Sequence, residues 1–114
     1  NLSNAYNNRG AAYEKKGQYD EAVADFSKAL ALDPNYGDAY FNRGNTYEKK
    51  GQYDQAIGDY TQVIVLEPKW VHAFNTRGSV YAKKGDYDQA IEDFTQAIFL
   101  DPNSANFPYR GSSK

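Results

Sequence analysis

The chain reads as an all-α solenoid, a superhelix of three helix-turn-helix repeats, and three observations predict it. Residues recur in register every 34 positions, at Pro34, Pro68 and Pro102, at Gly10, Gly44 and Gly78, at Tyr13, Tyr47 and Tyr81, and at Ala22, Ala56 and Ala90. Self-similarity at such a period marks stacked supersecondary units. Each copy holds two stretches of helical periodicity separated by a glycine turn. Neither stretch can bury its apolar stripe alone, so the copies must stack on one another, with the first helices lining the inner, concave face.

The copies run over residues 3–36, 37–70 and 71–104 of a single domain, 1–114. In the first helix of each, Tyr6, Gly10 and Tyr13, then Tyr40, Gly44 and Tyr47, then Phe74, Gly78 and Tyr81 lie four and three apart, on one helical face. A Lys-Lys-Gly stop follows, and Tyr-Asp two residues later opens the second helix, from Lys15 to Asp20, Lys49 to Asp54 and Lys83 to Asp88. Asp20, Asp54 and Asp88 favour the positive end of that helix. Its stripe is Ala22, Val23, Phe26, Ala29 and Leu30 in the first copy, Ala56, Ile57, Tyr60, Val63 and Ile64 in the second, and Ala90, Ile91, Phe94, Ala97 and Ile98 in the third. Asp-Pro or Glu-Pro at residues 33, 67 and 101 ends it. Glycine and alanine remove bulk where the helices of a pair cross, letting Tyr13, Tyr47 and Tyr81 pack beside them. Tyr36 and Trp70 are expected to fill the joints between copies. The prediction is six helices in three antiparallel pairs plus a short tail, 105–114. Arg110 imperfectly resembles the start of a fourth copy, one residue short of register and preceded by Pro108.

Composition excludes several classes of function. With 13 Lys plus Arg against 15 Asp plus Glu, a net charge of -2 lacks the basic excess that binds phosphates, so no nucleic acid is expected. A mean hydropathy of -0.86, with no apolar run near the roughly 18–20 residues a bilayer demands, predicts no membrane insertion. The absence of cysteine removes disulfides, thiolate metal sites and cysteine nucleophiles, and the single histidine, His72, cannot complete a metal site. Aspartates at 34-residue intervals on polar faces supply neither a nucleophile with its base nor a carboxylate pair, so no enzyme is expected. Lys15, Lys49 and Lys83 read as solvated helix ends. The chain contains no methionine and shows no charged-then-apolar leader at Asn1, so we expect a fragment or processed product, the compartment open with the cytoplasm favoured.

These residues resemble the tetratricopeptide repeat family, whose 34-residue unit carries an aromatic at position 4, Gly or Ala at 8, Tyr at 11, Ala at 20, an aromatic at 24, Ala at 27 and Pro at 32. The resemblance covers 102 of 114 residues, and Val63 in place of the position-27 alanine is a mild departure. It implies a right-handed α-α superhelix and a non-catalytic scaffold without cofactor, binding an extended peptide or partner helix of another protein in its groove. Family geometry puts positions 2, 5, 6, 9, 12 and 13 of each first helix on the concave face, here including Asn7, Asn8, Asn42, Asn45, His72 and Asn75. An asparagine carries donor and acceptor together, which suits a peptide backbone; the bland alternative is that these amides only keep the groove solvated. Members that clamp the carboxylate-ended tails of heat-shock chaperones use Lys, Asn, Asn, Lys and Arg. The corresponding residues are Asn7, Ala11, Asn42, His72 and Thr76, so all three cations are missing and such an adaptor is not expected.

The chain also departs from the family at position 7, commonly leucine, with Arg9, Arg43 and Arg77, while Asp25, Asp59 and Asp93 recur at position 23. A matched acid for every arginine predicts structural ion pairs, each guanidinium forking onto an aspartate of its own or the adjacent copy. The competing reading is a row of arginines for an acidic ligand. Finally, no complete polar helix follows Asp101, so parts of Ile91, Phe94 and Ile98 should be exposed and seek the tail or another molecule. Weak end-to-end self-association, and at its extreme a self-associating scaffold, is the alternative function.

Overall fold

The computed structural model describes residues 1–102; the tail expected at 105–114, Arg110 included, lies outside the described residues. Six helices follow one another: α1 Leu2–Lys15, α2 Tyr19–Leu32, α3 Gly37–Lys49, α4 Tyr53–Leu66, α5 Val71–Lys84 and α6 Tyr87–Leu100. Each packs on its neighbours in sequence, and α1 also touches α3, giving an elongated all-α repeat solenoid of 45 × 27 × 23 Å.

The turn inside each pair is set by one glycine. Gly17, Gly51 and Gly85 have φ of 80°, 77° and 87°, the left-handed region that side chains with a Cβ adopt only at a cost. Around the first, Gln18 N–H donates to the Tyr13 carbonyl and Gly17 N–H to that of Glu14, both at 2.9 Å, so two carbonyls at the helix end are satisfied by the turn itself. The same pair of bonds recurs at Gly51 and Gly85. Between pairs, α2 and α4 stop at Leu32 and Leu66, two residues before a proline that cannot continue them.

The crossing within a pair is close because there is room for a ring. A Cβ added at Gly10, Gly44 or Gly78 would lie 2.7, 2.8 or 3.0 Å from the ring of Phe26, Tyr60 or Phe94. The group that fills the space is therefore the second-helix aromatic, and Ala22, Ala56 and Ala90, four residues before it on the same helix, are buried. Between repeats, Ala29, Leu30 and Ala39 pack with Tyr6, Tyr36 and Tyr40, and further on Phe74 and Ala97 pack with Ile64, Val71 and Leu100.

Polar links then fix the angle of the stack. Arg9, Arg43 and Arg77 each donate from Nε and Nη2 to both carboxylate oxygens of Asp25, Asp59 and Asp93, at 2.7–2.9 Å. Each pair lies within one repeat and bridges its two helices. The third nitrogen reaches backwards: Arg43 Nη1 donates to Ser27 Oγ at 3.0 Å and Arg77 Nη1 to Thr61 Oγ1 at 3.1 Å, both in the preceding repeat. Hydrogen bonding to the aspartate raises the pKa of all three guanidiniums, and the Arg9 guanidinium holds the Asp25 carboxyl below the usual carboxylate range. Lys49 and Lys83 do not simply extend into solvent; they pair with Glu14 and Glu48 of the preceding repeat, while Lys50 and Lys84 pair with Asp20 and Asp54.

Two outcomes follow for stability. Gly44→Ala must displace the Tyr60 ring and is expected to cost about 1–3 kcal/mol, whereas Gly58→Ala, in mid-helix with nothing within 4 Å of the new Cβ, should stabilise by about 0.5–1 kcal/mol; urea unfolding of both variants checks this. Arg43→Ala leaves the buried Asp59 carboxylate alone and should cost about 3 kcal/mol, and Arg43→Lys should recover less than half, since an ammonium cannot hold both carboxylate oxygens and Ser27 together. Denaturation midpoints at unchanged slope measure it.

Candidate peptide-binding groove

The residues expected in the groove come from three first helices: Asn7 and Asn8 from α1, Asn42 and Asn45 from α3, and His72 and Asn75 from α5. The structure gives three of them hydrogen-bond partners, in two separate sets: Asn7 with Asn42, and Asn45 with Tyr60. Asn7 is buried; its Nδ2 donates to the Tyr36 hydroxyl at 3.3 Å, and its Oδ1 accepts from Asn42 Nδ2 at 3.1 Å, across the joint between the first two repeats. Asn7 is thus committed to the stack, while Asn42 is half-buried. Asn45, also half-buried, accepts at Oδ1 from the Tyr60 hydroxyl at 2.6 Å. Asn8 and His72 are exposed and Asn75 is half-buried, and none of the three joins either set.

These contacts have a physical logic. Asn42 spends one N–H on Asn7 and keeps its carbonyl and second N–H, and Asn45 keeps its whole NH2 group. Each amide is therefore held in one orientation by its partner. Tyr60 reaches Asn45 because its ring is clamped over Gly44. Burial, with the Glu48 carboxylate 3.2 Å from the hydroxyl, pushes the Tyr60 pKa far above the ordinary phenol value, so it remains a donor. Phe26 and Phe94 stand at the same place in the other repeats and have no hydroxyl to give.

An aromatic cluster lies beside these amides. The Phe41 ring stands 5.0 Å from Trp70, 5.4 Å from His72 and 5.5 Å from Tyr60, centroid to centroid. Trp70, at the end of the second repeat, lies against Phe41, and its ring centre is 6.5 Å from that of His72 in the third repeat. Sequence reasoning missed Phe41 as the centre of the cluster. The signal was its place at position 5, where the other copies carry Asn7 and Asn75. The surface therefore offers directed amides next to an apolar ledge.

Among the described residues no three His, Cys, Asp or Glu side chains gather as a metal site, and no helix is long and apolar enough to cross a membrane. The arginines sit with their aspartates as described above, so the row of guanidiniums is internally neutralised.

Comparison with known proteins places this geometry. A family model described as tetratricopeptide repeat matches residues 37–69 and 71–104, and a second, described as TPR repeat, matches residues 10–51. No curated protein matches. Among solved structures, MamA is similar at 30% identity with a TM-score of 0.86 over 92% of this chain, which spans 61% of the MamA chain. The second TPR of Spaghetti (RPAP3), bound to the HSP90 peptide SRMEEVD, is 28% identical with a TM-score of 0.81, covering 88% of this chain and 93% of that one. The second TPR domain of human RPAP3, in complex with the HSP70 peptide SGPTIEEVD, is 27% identical with a TM-score of 0.85, covering 98% and 93%. The repeat period, the hairpin crossings and the matched family models together make this chain a member of the tetratricopeptide repeat family.

Proposed function

We infer that the chain is a non-catalytic protein-interaction module that holds an extended peptide segment of another protein against its first helices, with Asn42 and Asn45 as backbone-pairing residues. The observation carrying this reading is the pair of contacts in which Asn7, itself bonded to Tyr36, holds Asn42 and Tyr60 holds Asn45, while part of each amide is left unspent. Solvation alone would not require amides held by buried partners, Asn42 by Asn7 and Asn45 by Tyr60. The Phe41, Trp70 and His72 ledge supplies a neighbouring seat for one apolar side chain of the peptide. Asn8 and Asn75 flank the contact.

The RPAP3 domains hold chaperone peptides ending in Glu-Glu-Val-Asp. This chain has Asn7, His72 and Thr76 where the clamp of such domains carries cations, and Asn7 is buried and committed. Each missing cation removes a charge-assisted bond of about 1.5–3 kcal/mol. Recognition here therefore rests on the peptide backbone and one apolar anchor rather than on a terminal carboxylate.

The test is calorimetry with a peptide selected from a random library on the intact chain, alongside SRMEEVD. Asn42→Ala should weaken the selected peptide by about 0.5–1.5 kcal/mol per hydrogen bond lost, and Lys28→Ala, on a second helix, should leave it unchanged. SRMEEVD should not bind at micromolar concentration. Equal silence of Asn42→Ala and Lys28→Ala would move the site off these helices.

A further inference from the structure

We propose that the two ends of the stack are complementary halves of the same joint that operates twice inside the chain, so that copies of this chain add head to tail, α6 of one against α1 of the next. The internal joints share three polar links. An arginine reaches back to a hydroxyl, Arg43 to Ser27 and Arg77 to Thr61. A lysine at the end of the first helix reaches an aspartate at the start of the preceding second helix, Lys50 to Asp20 at 2.5 Å and Lys84 to Asp54 at 2.6 Å. Its neighbour reaches a glutamate, Lys49 to Glu14 and Lys83 to Glu48. An alanine of the incoming first helix, Ala39 or Ala73, is wholly buried at the joint.

Among the described residues, the ends carry the unpaired halves. At the first end Arg9 gives Asp25 the same two nitrogens as its counterparts, and its side chain is 56% exposed against 21% for Arg43 and 17% for Arg77. Lys16 stands where Lys50 and Lys84 stand, and Ala5, the equivalent of Ala39 and Ala73, is exposed. At the last end Thr95 occupies the place of Ser27 and Thr61, and Asp88 that of Asp20 and Asp54, both exposed, with Ile91 60% and Ile98 43% exposed beside them. A head-to-tail contact thus offers Arg9 to Thr95, Lys16 to Asp88 and Ala5 to Ile98. The third link is missing, because Ala82 replaces the glutamate that would receive Lys15. Two links of three, with opposite charge on the two ends, make a joint weaker than the internal ones. Such a contact is heterologous, does not close on itself, and grows into open chains.

The competing occupants of the last end are residues 103–114 of the same molecule and a two-fold contact between two last ends. Sedimentation equilibrium on the full chain, from micromolar to millimolar, separates them when run on the wild type, Lys16→Glu, Asp88→Lys and the double variant, with circular dichroism confirming that each is folded. Head-to-tail joining predicts association that rises with concentration without stopping at a dimer. Each single variant should weaken it about tenfold by placing like charges together. The double variant and an equimolar mixture of the two singles should both recover it, since each restores opposite charge at every joint. A wild type that stays monomeric throughout overturns the proposal, as would cover by the tail. So does loss in Asp88→Lys alone, which would indicate paired last ends, and so does association indifferent to both substitutions.

Discussion

One guanidinium per repeat ties its two helices together, and in the second and third repeats it joins a third helix as well. It sits on a first helix, grips the buried aspartate of its own second helix through two nitrogens, and in Arg43 and Arg77 uses the remaining one on a hydroxyl of the repeat before. The aspartates are nearly excluded from solvent, with 3%, 5% and 4% of Asp25, Asp59 and Asp93 exposed, so their charge is tolerable only while the fork is in place. Tyrosine rings close the other side: the Arg43 guanidinium carbon lies 5.8 Å from the centre of Tyr40 and 5.9 Å from that of Tyr47. A leucine at this position would bury area without direction. The planar fork instead fixes both the angle inside a hairpin and the step to the next one, and every surface built from successive first helices inherits that geometry.

The groove depends on this constraint through a short chain of contacts. Gly44 lets the Tyr60 ring approach α3, the ring delivers a hydroxyl to Asn45, and the joint between the first two repeats lets Asn7 hold Asn42. Small residues decide packing, and packing decides where the two amides point. Breaking the joint would therefore loosen the candidate site without touching it.

Much of this was legible in the sequence because the period multiplies every signal. One glycine means little, but Gly17, Gly51 and Gly85 in register, each followed two residues later by Tyr-Asp or its equivalent spacing, mark three turns, and all three have positive φ. The arginine and aspartate recurrence pointed to a pairing in the same way. Less legible was anything carried by residues that differ between copies. Ser27 and Thr61 as acceptors could not be singled out, because a hydroxyl on a second helix reads as a solvated face until its distance to the next arginine is known. Asn7 read as a groove amide like Asn42, and its burial follows from Tyr36, a neighbour 29 residues away. Phe41 escaped notice because it breaks the pattern at its position, and a break has no second copy to support it.

Direct observation of the arginine side chains by nitrogen-15 NMR tests the three-helix grip without any substitution. A guanidinium held by both carboxylate oxygens and a hydroxyl cannot rotate about its Nε–Cζ bond without breaking these bonds. Arg43 and Arg77 should show separate, slowly interchanging Nη resonances and an Nε–H protected from exchange, while the more exposed Arg9, which has two bonds instead of three, should interchange faster. If Arg43 and Arg77 instead showed averaged Nη signals and rapid Nε–H exchange like free arginine, the grip would not exist in solution, and the geometry of the stack would have to rest on apolar packing alone.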